Sequence, residues 1–158
     1  MTNTPSIEFR PADPQDAKNI RELVRAAYAK WVPVIGREPL PIRADYARAV
    51  REHQFDILSI DGEMVGLIET LLHPDHLWIE NLAVKPQCQR QGLGRRLLTQ
   101  VERRAVAHEC VEARLLTNAA FAGNVLLYTS VGYEIHKEEP FMGGTTVYMR
   151  KLLARQHP

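Results

Sequence analysis

Apolar and polar residues change rhythm several times along this chain, and each rhythm predicts an element. Over residues 6–10 they alternate, the period of a strand with one buried face. Ile20, Leu23, Val24, Ala27 and Tyr28 then recur three and four apart, the spacing of a helix with an apolar stripe. Pro11-Ala12-Asp13-Pro14 ahead of them supplies an N-cap carboxylate and an early proline. Residues 43–52 predict a second helix. Residues 56–60 and 64–72 return to strand character around Asp61-Gly62, a dipeptide that accepts the left-handed backbone of a tight hairpin turn. In the next strand, 77–84, Leu77 and Ile79 share one phase of alternation while Leu82 and Val84 share the other. A period of two slips only where a residue is inserted, so a bulge is expected near Glu80 or Asn81. Leu93, Leu97, Leu98, Val101 and Ala105 mark a further helix, followed by a strand at 113–117 and a short helix at 124–131. Closing strands at 133–136 and 145–149 flank Met142-Gly143-Gly144. Residues 31–41 hold three prolines and a glycine among apolar side chains, which predicts a shaped loop instead of a regular helix.

Size and charge narrow the function classes. A chain of 158 residues with 45% hydrophobic content suits one α/β domain, expected over 1–158, and buries roughly 70% of its unfolded surface. Twenty basic against 19 acidic residues leave a formal charge of +1, which argues against nucleic acid as a partner. No apolar run approaches the roughly 18 residues of a membrane span, and residues 1–10 lack the apolar centre of a signal peptide, so a soluble cytoplasmic protein is expected. Cys88 and Cys110 are expected as free thiols, and His73-Pro74-Asp75-His76 reads as a turn, with no metal expected.

The chemistry concentrates between the strand at 77–84 and the next helix, in Gln89-Arg90-Gln91-Gly92-Leu93-Gly94-Arg95-Arg96. Gly92 and Gly94 let the backbone turn and approach a ligand, so several N–H groups at a helix N-terminus can converge on a phosphate. Arg90, Arg95 and Arg96 crowd the positive end of the helix dipole, a conflict that a bound anion resolves. A Gly-Lys-Ser/Thr ending is missing and Leu97 stands where a dinucleotide fingerprint has its third glycine, which argues against both nucleotide folds. Gln-x-x-Gly-x-Gly between strand and helix resembles the pyrophosphate loop of the GCN5-related N-acetyltransferases (GNAT). Asn124-Val125-Leu126-Leu127-Tyr128 with Gly132-Tyr133 is similar to the second signature of that family, in the family's order.

The resemblance implies a single domain with a central mixed, splayed β-sheet flanked by helices, using acetyl-CoA. It places pantetheine along the backbone of Leu82, Ala83 and Val84 and the pyrophosphate on Gln89, Arg90, Gln91, Gly92, Leu93, Gly94 and Arg95. Asn124 is expected at the cofactor, with Asn118 sharing the contact, because Phe121 stands where the family often has asparagine. Tyr128 matches the tyrosine that can protonate the departing sulfur. An acceptor amine must lose a proton, and Glu80 or Glu69 is the candidate base. Tyr28, Trp31, Arg37 and Tyr46 are expected to form the acceptor site, packing of the loop being the alternative for Trp31. The acceptor expected is a small primary amine. A peptide N-terminus, a non-catalytic acyl-CoA sensor and a homodimer remain open.

Overall fold

The computed structural model describes residues 4–153, most of the domain expected over 1–158. Residues 1–3, part of the stretch read for a signal peptide, lie outside the described residues. The alternating segments form β1 (Ile7–Pro11), β2 (Gln54–Ile60), β3 (Glu63–Leu72), β4 (His76–Val84), β5 (Glu112–Asn118), β6 (Glu134–Phe141) and β7 (Gly144–Leu152). They make one seven-stranded sheet in the order β1-β2-β3-β4-β5-β7-β6. Only β4 and β5 run parallel; the other neighbours are antiparallel, so the sheet is mixed as expected.

Helices cover both faces. On one lie α1 (Ala17–Tyr28), α2 (Val32–Ile35), α3 (Leu40–Arg43) and α4 (Tyr46–Glu52), where Ile20, Val24, Tyr28 and Tyr46 pack with Phe55, Ile57, Leu67 and Ala83. The other carries α5 (Leu93–Ala107) and α6 (Ala122–Ser130), where Leu97, Leu98, Val101 and Ala105 meet Leu58, Ile68, Leu77, Ile79 and Leu82. Leu67 and Ile68 therefore point to opposite cores, as alternation in a strand requires. Leu97 is fully buried, and truncating it to alanine would cost about 2–5 kcal/mol. Among the described residues no helix is long and apolar enough to cross a membrane.

The expected bulge lies at Glu80. Glu69 pairs with Asn81 and Thr70 with Ile79, which leaves Glu80 as the extra residue on β4. Leu77, Ile79 and Leu82 consequently all enter the α5 core despite their odd spacing. Pairing of β4 with β5 stops at the same point: it runs from His76↔Glu112 to Ile79↔Leu115 and no further. Beyond it the two strands diverge, and the sheet opens toward the end where both helices α5 and α6 begin.

Two expectations change. The segment 31–41 contains single helical turns, α2 and α3, separated by Gly36 and Pro39. The helix expected over 43–52 starts only at Tyr46, because Ala44 is extended and the Asp45 side chain accepts the Arg48 N–H at 3.1 Å as its N-cap.

Candidate active site

At the open end of the sheet, the backbone of β4 has no partner strand on the β5 side. Lys85 N–H donates to Val65 O at 2.8 Å, which fixes the alternation: Ala83 and Asn81 bond β3, while Leu82 and Val84 turn their peptide groups toward the gap. Of the three residues expected to line the cofactor, two thus turn peptide groups into the gap and Ala83 turns its own toward β3. Val84 O accepts from Gln89 Nε2 at 2.9 Å and Leu82 O from the Tyr28 hydroxyl at 3.4 Å.

The glycine–arginine junction closes this end. Gly92, the N-cap of α5, sits at φ 80°, and Arg90 at φ 64° holds a left-handed backbone that costs a side-chain-bearing residue about 1–2 kcal/mol. Among the described residues, the N–H groups from Arg90 to Arg95 find no hydrogen-bond acceptor. Nothing lies within 4 Å of the position of a Gly92 Cβ. Arg90, Arg95 and Arg96 are exposed around it, Arg95 Nη2 reaching Ser130 Oγ at 3.3 Å. Free donors and cations around open space fit a diphosphate. Gly94 also serves packing: a Cβ there would stand 2.9 Å from Leu127 Cδ2, so the missing side chain lets α5 pack against α6. Gln89 Oε1 accepts from Lys30 at 2.7 Å and so ties the junction to the end of α1.

On the α1–α4 side of the gap lies a pocket of about 410 Å³. Tyr28, Arg37, Tyr46, Glu69, Glu80 and Asn118 line it, bringing together six residues singled out in the sequence. Trp31 is absent from the lining because its indole stacks on Phe121, with ring centroids 4.9 Å apart; it packs the segment onto the sheet. A hydrogen-bonded chain crosses the pocket wall. Tyr28 donates to Asn81 Oδ1 at 2.9 Å, Asn81 Nδ2 to the Tyr46 oxygen at 3.1 Å, and Tyr46 to Pro41 O at 2.6 Å. Burial raises the pKa of both phenols above the ordinary value, which keeps them protonated as donors.

The two carboxylates differ sharply. Glu69 is buried, and burial pushes its pKa up while His53, whose Nδ1 lies 2.6 Å from Oε2, holds it down. Glu80 is exposed and accepts from the Trp78 indole at 2.7 Å. The bulge sets both on the same pocket wall.

A family model described as the Acetyltransferase (GNAT) family matches residues 18–133, most of the chain and all of these elements from α1 through α6. The chain belongs to the GNAT family. Curated relatives include the [Ribosomal protein bS18]-alanine N-acetyltransferases of Escherichia coli K12 and Shigella flexneri, each 39% identical over 80 residues, 48% of this chain. The match spans about half (51%) of the length of those relatives. Among solved structures, a PaiA N-acetyltransferase of Thermoplasma acidophilum in complex with coenzyme A superposes with a TM-score of 0.82 at 20% identity, covering 93% of this chain and 99% of that one. The ribosomal-protein-S18-alanine N-acetyltransferase of Escherichia coli gives 0.74 at 20% identity over 96% and 97%. Both share the GNAT fold seen here.

In this GNAT chain Tyr128 lies in the α5 core with Leu82 and Leu115, its ring edge-on to Tyr133 at 5.9 Å. Its hydroxyl has no hydrogen-bond partner among the described residues and is not sealed from solvent. Burial raises its pKa, so it keeps its proton at neutral pH. Asn124 is half-buried on the first turn of α6, whereas Asn118 Oδ1 accepts the Ala120 N–H at 2.9 Å and shapes the turn into α6. Sequence reading missed His53, Asn81 and Phe141. A polar Asn81 inside an apolar strand at a predicted bulge was the available signal for one of them; His53 and Phe141 reach the pocket through pairing across the sheet, which no local pattern carries.

Proposed function

We propose that this chain is an N-acetyltransferase that moves the acetyl group of acetyl-CoA to a primary amine held in the 410 Å³ pocket. The observation that carries this is the divergence of β4 from β5 past Ile79 and Leu115, with the donor-rich junction at one side and the pocket at the other. Leu82 and Val84 offer backbone to an extended pantetheine arm, and the N–H groups of residues 90–95 with the three arginines receive the diphosphate. The bound thioester supplies an activated acetyl group, whose C–S bond breaks as the C–N bond to the amine forms. Glu69, or Glu80, takes the proton that the amine nitrogen loses. The Tyr128 hydroxyl donates a hydrogen bond to the departing sulfur; of the two protons that an ammonium acceptor gives up, one passes through the carboxylate to solvent and the other ends on the thiol. Orientation supplies a large part of the rate, since direct attack needs no protein nucleophile.

The acceptor we favour is a small amine. Residues of α1 to α4 and the intervening turns wall the pocket with Tyr28, Ile35, Pro39, Leu40 and Tyr46, and the Arg37 guanidinium reaches across to Phe141 on the β6–β7 hairpin, 5.7 Å from the ring centroid. A peptide N-terminus is the second reading, favoured by the ribosomal-protein-bS18-alanine N-acetyltransferase activity of the relatives. Thiol release from acetyl-CoA with a panel of small primary amines, against peptides beginning with alanine, separates them. Higher kcat/KM on small amines is expected; preference for the peptides would reverse the assignment.

A further inference from the structure

The acceptor pocket contains a cation without a carboxylate partner. Among the described residues that line it, Arg48 pairs with Glu52 at 2.9 Å and His53 with Glu69 at 2.6 Å, whereas Arg37 joins no ion pair. Its Nη1 makes one long bond to Glu38 O at 3.3 Å, and its Nε is buried with no acceptor at all. A buried donor of a charged group left unsatisfied is costly, and native structures retain few. The guanidinium lies between the α2–α3 turn and the face of Phe141 and lines the pocket, where its Nη groups have no carboxylate partner. Glu80, which lines the same pocket, likewise joins no ion pair among the described residues. Ile35, Leu40, Leu116 and Phe121 supply apolar lining.

Resting on the acetyl-transfer reading above, we propose that the acceptor is an amine that also carries a carboxylate, a free amino acid or a close relative, and that Arg37 reads that carboxylate. Nη1 and Nη2, the guanidinium nitrogens that are not sealed, present the planar fork that matches a carboxylate with two parallel bonds. A single guanidinium neutralises a single negative charge. A phosphate dianion fits less well, because Asp45 and Glu80, which join no ion pair among the described residues, share the same pocket and repel a second charge. The ammonium end then faces Glu69 and Glu80, where it must lose a proton, and an apolar side chain fills the middle. A neutral amine of the same shape would leave the Arg37 guanidinium unpaired, which is how a polar site rejects an analogue most strongly.

Matched pairs test this without a mutation: phenylalanine against phenylalaninamide, leucine against leucinamide, γ-aminobutyrate against its amide, each as acceptor with acetyl-CoA. The wild-type protein is expected to prefer the carboxylate member of its best pair by about 10²-fold in kcat/KM. In Arg37→Gln that preference should collapse to within about threefold, with Arg37→Lys in between because it keeps charge but loses the fork. CoA affinity, read by calorimetry at the distant glycine–arginine junction, reports whether each variant is folded. Equal turnover of acid and amide by the wild type, or turnover confined to amines without a carboxylate, overturns this inference while leaving acetyl transfer intact. Saturable CoA binding with no turnover of any amine overturns the transfer reading itself, and this inference with it.

Discussion

Removing the Tyr128 hydroxyl separates chemistry from folding unusually well. That oxygen has no partner among the described residues, so Tyr128→Phe breaks no hydrogen bond of the fold and relieves the desolvation that raises the phenol's pKa. Its effect on stability should lie within about 0.5 kcal/mol of zero. If the hydroxyl donates to a departing thiolate, the lost interaction is a charge-assisted one, about 2–3 kcal/mol, or a fall in kcat of roughly 30- to 150-fold. Tyr133 supplies the control. It is the adjacent aromatic ring, also buried, but its hydroxyl donates to Glu102 at 2.8 Å. Tyr133→Phe should therefore cost about 1.5–3 kcal/mol of stability and leave kcat within a factor of about two. Urea denaturation and steady-state thiol release on the two variants give a crossed pattern. Full activity in Tyr128→Phe, or a stability loss as large as that of Tyr133→Phe, would refute the role assigned to the phenol.

Three further outcomes are expected. Gly92→Ala meets no neighbour but must hold φ near 80°, so it should cost about 1–2 kcal/mol and weaken CoA binding about tenfold in calorimetry; unchanged affinity would remove the junction from the binding site. Glu69 has a folded pKa raised above its ordinary 4.5, chiefly by burial, so its contribution to stability is full below that value and is lost as pH rises through the raised one. The stability of the wild type relative to Glu69→Gln should accordingly decline from acid toward neutral pH in urea titrations, and a rising difference would contradict the burial argument. Trp31→Ala should lower stability by about 1–3 kcal/mol through the lost stack on Phe121 while leaving acceptor KM within about threefold; a large KM change at unchanged stability would return Trp31 to the pocket.

The slip from Leu77 and Ile79 to Leu82 and Val84 foretold the bulge at Glu80, because a buried face leaves a strand no freedom of register. Most of the stretch proposed for the cofactor was legible for a related reason: residues 82–95 are continuous in the chain, and their backbone geometry depends on glycine and helix start alone. Gly94 shows the limit of that reasoning, since the lack of a side chain does not say whether a ligand or Leu127 takes the space. The acceptor side was legible only as a list of residues. That His53 meets Glu69 follows from where the end of α4 comes down beside β3, and that Arg37 meets Phe141 follows from a hairpin more than a hundred residues away in the chain. Trp31 was undecidable from sequence because an indole packs and recognises with the same surface, and the choice fell to the position of Phe121.

The central claim is transfer of acetyl from CoA to an amine across the open end of the β4–β5 pair. Its most direct test follows both products at once, the free thiol by colour and the N-acetylated amine by mass spectrometry, in a reaction of the purified chain with acetyl-CoA and pooled primary amines that include free amino acids. The account predicts saturable turnover with one acetylated amine for each thiol released. Thiol released without an acetylated product, or CoA bound tightly with neither product formed, would contradict it.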